Sequence, residues 1–252
     1  MLHIKDVNKW ARKKAKLIVY AKMYRWLSEN ESDLSEFLKS VDLELWKETI
    51  EYVERLTAIG QEELNRRSIT VGLPNQGVGG GAEYALLYFL VRHNKPDTVL
   101  ETGVAMGWSS RAILDAMEAN DCGHLFSSDL PYSSRPGRED VGVTKADVGC
   151  LVPESLRGRW TLCLNGDREC LPSMLDKIDS VDLFHYDSDK SYEGRRWAMD
   201  LIRNKMHSGS TIVMDDIKDN PYFMDYAKSS ADPWKVLREK SSERWVGIID
   251  VK

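Results

Sequence analysis

The stretch TVLETGVAMGWSS, residues 98–110, decides how this chain is read. Thr98 to Glu101 is a short apolar strand, Gly103 permits a tight turn, and Gly107 opens a helix from Trp108 to Ala119. In a doubly wound sheet, ligands bind beyond the carboxyl ends of the strands, where the strand order reverses. Gly103 lets backbone approach a ligand closely. Gly107, Trp108 and Ser109 offer the free N–H groups of a helix N-terminus. A pyrophosphate site asks for G-x-G-x-x-G. Here Ala105 and Met106 stand between the glycines, and the pattern is E-x-G-x-x-x-G starting at Glu101.

Outward from this turn, strand-like and helix-like segments alternate. Strands are expected at 124–128, 160–164, 181–186, 211–214 and 245–251. Helices are expected at 147–156, 169–178, 192–206 and 233–240. Such alternation builds βαβ units, so the fold class is α/β, Rossmann-like and doubly wound, with a mostly parallel sheet. Residues 1–75 read as an N-terminal helical extension and 76–252 as the nucleoside-binding domain. Only one clear strand follows the fifth, so the end of the sheet reads as shortened. VGLPNQGVGGGAE (71–83) is a Gly/Pro loop, either a ligand-approaching turn or a linker.

Acids stand at the ends of the strands. Asp129 closes HLFSSDLP (124–131), where a carboxylate can take ribose hydroxyls or cap a turn. Asn165-Gly166-Asp167 follows the third strand. The fourth and fifth end in FHYDSDKSYEG (184–194) and TIVMDDI (211–217). Parallel order makes these strands neighbours, which gathers Asp187, Asp215 and Asp216. Clustered carboxylates repel unless protons or a cation intervene, and hard oxygen ligands suit Mg²⁺ or a similar divalent ion. Solvated or capping acids are the plainer alternative.

The turn at 101–107 resembles motif I of class I S-adenosylmethionine (SAM)-dependent methyltransferases. A sulfonium nucleoside has no pyrophosphate and tolerates a side chain at Ala105. DSDKSYEG and the MDDI pair are similar to segments of the macrocin-type, macrolide-sugar O-methyltransferases, with Lys190 where that family has His. This resemblance implies SAM bound by Glu101, Gly103, Ala105, Met106, Gly107, Trp108, Ser109, Asp129, Gly166, Asp167 and Asp187, with Asp167 near the adenine. It implies a divalent cation on Asp187, Asp215 and Asp216. Asp187 and Lys190 as D-x-x-K are also similar to catechol-type, metal-dependent O-methyltransferases, in which the lysine helps remove the acceptor's proton; the alternative is a simple salt bridge. Tyr192, Trp108, Tyr132 and His185 are candidate pocket walls. Arg135 and Arg138 in the 131–144 loop would suit an anionic acceptor. The expected activity is methyl transfer to a hydroxyl of a small molecule, a sugar or natural product. N-methylation without metal and NAD(P)-dependent oxidoreduction stay open.

Composition narrows the classes. A net charge of −5 gives no general pull toward nucleic acid. No apolar run approaches a membrane span and no secretory leader is visible, so a cytoplasmic location is expected. Cys122, Cys150, Cys163 and Cys170 form no C-x-x-C pair and read as free thiols rather than zinc ligands, with a Cys163–Cys170 bridge the lesser alternative. Lys5, Lys9, Arg12, Lys13, Lys14, Lys16, Lys22 and Arg25 decorate an amphipathic helix. It could touch a membrane surface, but packing on its own domain or in a homo-oligomer is favoured, because its aromatic residues spread over more than one face.

Overall fold

A computed structural model describes residues 4–67, 83–131, 134, 144–239 and 244–252. The loop at 71–82 and residues Tyr132, Arg135 and Arg138 lie outside these. The elements are α1 (Ile4–Asn30), β1 (Glu31–Asp33), α2 (Leu34–Val41), α3 (Leu43–Arg66), α4 (Tyr84–Asn94), β2 (Thr98–Thr102), α5 (Trp108–Asn120), β3 (His124–Ser128), β4 (Trp160–Cys163), α6 (Asp167–Leu175), β5 (Leu183–Tyr186), α7 (Tyr192–Ile202), β6 (Thr211–Met214), α8 (Tyr222–Ser229), β7 (Trp234–Glu239) and β8 (Arg244–Asp250).

Among the described residues the strands form one sheet in the order β1-β7-β8-β6-β5-β2-β3-β4. Only β8 runs against its neighbours. Strand β2 has β3 on one side and β5 on the other, both parallel, so the order reverses there. The expected α/β, mostly parallel architecture is what the chain adopts.

Helices cover both faces. One core gathers α2 to α5 around residues such as Leu56, Leu86, Phe89, Val99 and Ile113. The other gathers α6, α7 and α8 with Met23 and Leu27 of α1. Residues of β5 alternate between them: Leu183 belongs to the first, Phe184 and Tyr186 to the second, as the two-residue period of a strand dictates. The N-terminal segment is built into both. Strand β1 pairs with β7, Glu31 bonds Arg238 and Trp245, and the Tyr20 hydroxyl donates to the Asp219 carbonyl at 2.7 Å.

Three local expectations need correction. Residues 234–239 are strand β7, not a helix. Their helix-forming Lys, Leu, Arg and Glu are overridden by pairing with β1 and β8, which buries Val236 and Leu237. The end of the sheet is therefore a full β7–β8 hairpin, not a shortened one. Residues 147–156 are not an α-helix; short 3₁₀ turns stand at Lys145–Asp147 and Glu154–Arg159. The Gly149 and Leu151 amides donate to Ala105 and Met106 carbonyls instead of to their own turn. Last, Cys163 and Cys170 form a disulfide with Cα atoms 5.8 Å apart, while Cys122 and Cys150 are free.

Candidate active site

The turn after β2 is held from behind. Glu101 has no exposed surface, and its oxygens accept from the hydroxyls of Ser109, Ser110 and Ser127 at 2.5, 2.6 and 2.8 Å. Asp129 is also buried, and one of its oxygens accepts from the Val104 and Ala105 amides at 2.7 and 2.9 Å. These two acids, with buried Met106 and Ser109, shape the loop rather than line the cavity in front of it. Gly103 and Ala105 take left-handed φ of +81° and +47°. Gly103 sits directly against the Asp187 backbone, where a Cβ would overlap the Asp187 carbonyl oxygen. Gly107, at φ +92°, ends the turn, and Trp108 begins α5 with its ring stacked on Tyr84 at 5.7 Å.

In front of the turn lies a cavity of about 670 Å³. Gly103 of the turn, Leu130 after β3, Asn165 to Glu169 after β4, Ser188 to Lys190 after β5, and Gly194 and Trp197 of α7 line it. Asp167 is anchored by the Ser128 and Ser188 hydroxyls at 2.6 and 2.5 Å, and the Arg168 guanidinium stacks on Trp197 at 4.0 Å. Four strand ends thus meet at the point where the sheet order reverses. Gly103, Gly166, Asp167 and Lys190 share this cavity, as the sequence led one to expect. Leu130, Arg168 and Trp197 are additions carried by no motif, and Ser188 is one that lies within DSDKSYEG.

Beside the cavity the strand tips crowd charge together. Asp187 and Asp215 stand next to one another across β5 and β6. His185, Asp187 and Asp215 each offer a ligand atom within 4.8 Å of the others. Asp216 does not join them. It turns away at φ +49° to meet Lys190 at 3.0 Å, and Lys190 also pairs with Asp187. Buried Arg195 donates to the carbonyls of Asp215 and Asp216 at 3.0 and 2.9 Å and fixes that turn.

The electrostatics follow from burial and crowding. Burial and the neighbouring Asp187 charge push the Asp215 carboxyl well above the usual carboxylate range. Burial also opposes ionisation of Asp216, but Lys190 outweighs it and holds Asp216 low. Burial disfavours the Lys190 charge, yet Asp187 and Asp216 more than offset this and hold the ammonium above its ordinary range. Burial of His185 is likewise outweighed by Glu101, Asp187 and Asp215, which hold the ring above its usual value. Glu83, just before α4, is pushed up to about 7 by burial and by Glu239. Of the two readings of Lys190, the salt bridge is the one present.

Among the described residues, Asp215 Oδ2, Glu83 Oε1 and Trp108 Nε1 are buried without a hydrogen-bond partner, and His185 Nδ1 has only the Glu101 carboxylate, 3.5 Å away. A buried carboxylate oxygen without a hydrogen-bond partner, beside an imidazole and a second carboxylate whose ligand atoms lie within 4.8 Å of it, suits a divalent cation. Asp187 and Asp215 fit the expected metal set; His185 enters it from the structure, and Asp216 would join only by leaving Lys190.

Residues 100–217 match a family described as "Methyltransferase domain". Among solved structures, an O-methyltransferase from Bacillus cereus bound to S-adenosylhomocysteine (SAH) superposes with a TM-score of 0.56 at 13% identity, covering 77% of this chain and 90% of that one. The tomaymycin-synthesis O-methyltransferase TomG from Streptomyces achromogenes, bound to SAM, has a TM-score of 0.51, 12% identity and coverages of 78% and 89%. The calicheamicin methyltransferase CalS11 has a TM-score of 0.50, 18% identity and coverages of 80% and 91%. Curated proteins give no match. The sheet is thus the Rossmann-like fold of these methyltransferases.

Proposed function

We propose that this chain is a SAM-dependent O-methyltransferase that methylates a hydroxyl of a small sugar or natural-product acceptor. The observation that carries the reading is the shared cavity: Gly103 of the glycine turn, the 165–168 corner and Lys190 line it at one end of the sheet, with Asp187, the partner of Lys190, just behind its wall. The match over 100–217 supports it, as do neighbours with SAM or SAH bound. Two neighbours named for tomaymycin and calicheamicin support a natural-product acceptor.

In this reading Leu130 and the 165–168 corner hold the adenine, Gly103 passes the nucleoside close to backbone, and the methyl faces Asp187. The chain contributes mainly alignment and exclusion of water. Asp187 and Asp215, with His185, would hold a divalent cation such as Mg²⁺, which when bound lowers the pKa of an acceptor hydroxyl. Lys190 serves as a proton acceptor only when freed of its two carboxylates; as an ammonium it fixes the directions of Asp187 and Asp216. The outward Leu17, Ile18 and Val19 of α1 support a homo-oligomer, which gel filtration of a Leu17→Ser/Ile18→Ser variant would test. Among the described residues no helix is long and apolar enough to cross a membrane.

The test is mass-spectrometric detection of SAH release from SAM and Mg²⁺ over a panel of hydroxylated acceptors. Turnover is expected with at least one acceptor, with loss in Asp187→Ala and on adding EDTA. Turnover indifferent to EDTA would remove the cation from the mechanism. Binding of NAD(P)H without SAM would overturn the reading.

A further inference from the structure

Cys163 is the last residue of β4 and Cys170 lies in the first turn of α6; LNGDRE stands between them. Five of those six residues, Asn165 to Glu169, line the cavity. The disulfide therefore closes a loop whose content is almost entirely cavity wall.

Besides the disulfide, Asp167 to Glu169 are held in the start of α6 and by the Arg168–Trp197 stack, while Leu164 to Gly166 before the helix depend on a few hydrogen bonds. The Gly166 amide donates to the Asp129 carbonyl at 2.9 Å, and the Asp129 amide to the Cys163 carbonyl at 2.9 Å. Asp167 holds two serine hydroxyls. Gly166, at φ +78°, is intrinsically free to adopt other conformations. Tying the strand end to the helix start removes much of that freedom before a ligand arrives. A wall already ordered loses less entropy on binding.

We infer that Cys163 and Cys170 form a thiol–disulfide site that sets how tightly the cavity holds its adenosine ligand. This rests on the SAM reading of that cavity. The reductant is a dithiol. Its thiolate attacks Cys163 Sγ, the half-buried member of the pair, and the sulfur of fully buried Cys170 leaves and takes a proton. The reductant's second thiol then displaces Cys163, which leaves as a thiol. In sum, two electrons and two protons pass to the protein and the dithiol becomes a cyclic disulfide. By linkage, a bound nucleoside resists this reduction by the factor that the disulfide adds to its affinity.

The test is calorimetric titration of SAH into the full chain, oxidised with glutathione disulfide or reduced with a phosphine. The oxidised form is expected to bind about fivefold more tightly. Cys163→Ser/Cys170→Ser should bind like the reduced form and ignore the phosphine. Cys122→Ser/Cys150→Ser should keep the full response. Equal affinity of the oxidised and reduced forms would overturn the inference, as would alkylation of Cys163 and Cys170 after oxidation. SAH binding in neither state would overturn the cofactor reading itself, and this site's role with it.

Discussion

The two halves of the site differ in how completely their polar groups are matched. Behind the turn at 101–107, Glu101 takes three serine hydroxyls and Asp129 two backbone amides. At the neighbouring tips of β5 and β6, among the described residues, Asp215 keeps a buried oxygen without a hydrogen-bond partner, His185 has only a 3.5 Å contact with Glu101, and Lys190 is shared by two carboxylates. A buried polar group without a partner costs free energy, and a cluster of them is retained only where something else is gained. The turn is a finished scaffold. The tips are arranged for groups that arrive from outside, a cation or an acceptor oxygen. Stability and chemistry should therefore separate between the two places.

The largest effect expected is on the scaffold side. Glu101→Ala strands three buried hydroxyls and should cost on the order of 4 kcal/mol in chemical denaturation. A loss under about 1 kcal/mol would break the contrast. Next is Glu83, whose folded pKa of about 7 lies above the ordinary carboxyl value of 4.5. A raised carboxyl stabilises the fold below its unfolded pKa, and that contribution disappears as pH rises through the folded one. Glu83→Gln should thus melt with the native chain at pH 4.5 and above it at pH 8, by roughly 2 to 3 kcal/mol. A gap independent of pH would show that Glu83 is not held neutral.

Smaller changes sharpen the comparison. Asp215→Asn mimics the protonated carboxyl and keeps an oxygen for the Asp216 amide. It should shift stability by less than about 1 kcal/mol yet abolish methyl transfer; thermal melts beside SAH-release assays check both. The smallest effect belongs to Ala105. Its left-handed backbone favours glycine, so Ala105→Gly should stabilise by about 0.5 to 1 kcal/mol in the same melts.

Much of the fold was readable because central parallel strands are apolar runs ended by glycine or acid. What escaped depends on partners distant in sequence. β7 is made of helix formers, and only the hairpin partner β8 and the edge strand β1 make it a strand. β1 is three residues long, too short for a periodic signal. Cysteine spacing reveals nothing about Cα separation, so the disulfide had to come from the structure.

At the site, motif residues led to the loops that line the cavity but not to where each side chain faces. Glu101 and Asp129 read as cofactor contacts, yet sequence cannot tell which side of a turn a carboxylate faces. The split between Asp215 and Asp216 was within reach, since successive residues leave a strand in opposite directions. So was His185, a polar residue inside the otherwise apolar Leu183–Tyr186 run. Arg195 and Glu83 carry no motif, and their importance comes from burial alone.

The central claim is that one cavity places a sulfonium nucleoside with its reactive end toward the acidic tips. A crystal of the full chain soaked with SAH and Mn²⁺ tests it most directly. Adenine density is expected between Leu130 and residues 165–168, with the sulfur toward Asp187 and an anomalous peak between Asp187 and Asp215. Density for the nucleoside in another cavity, or a metal peak remote from the sulfur, would contradict it.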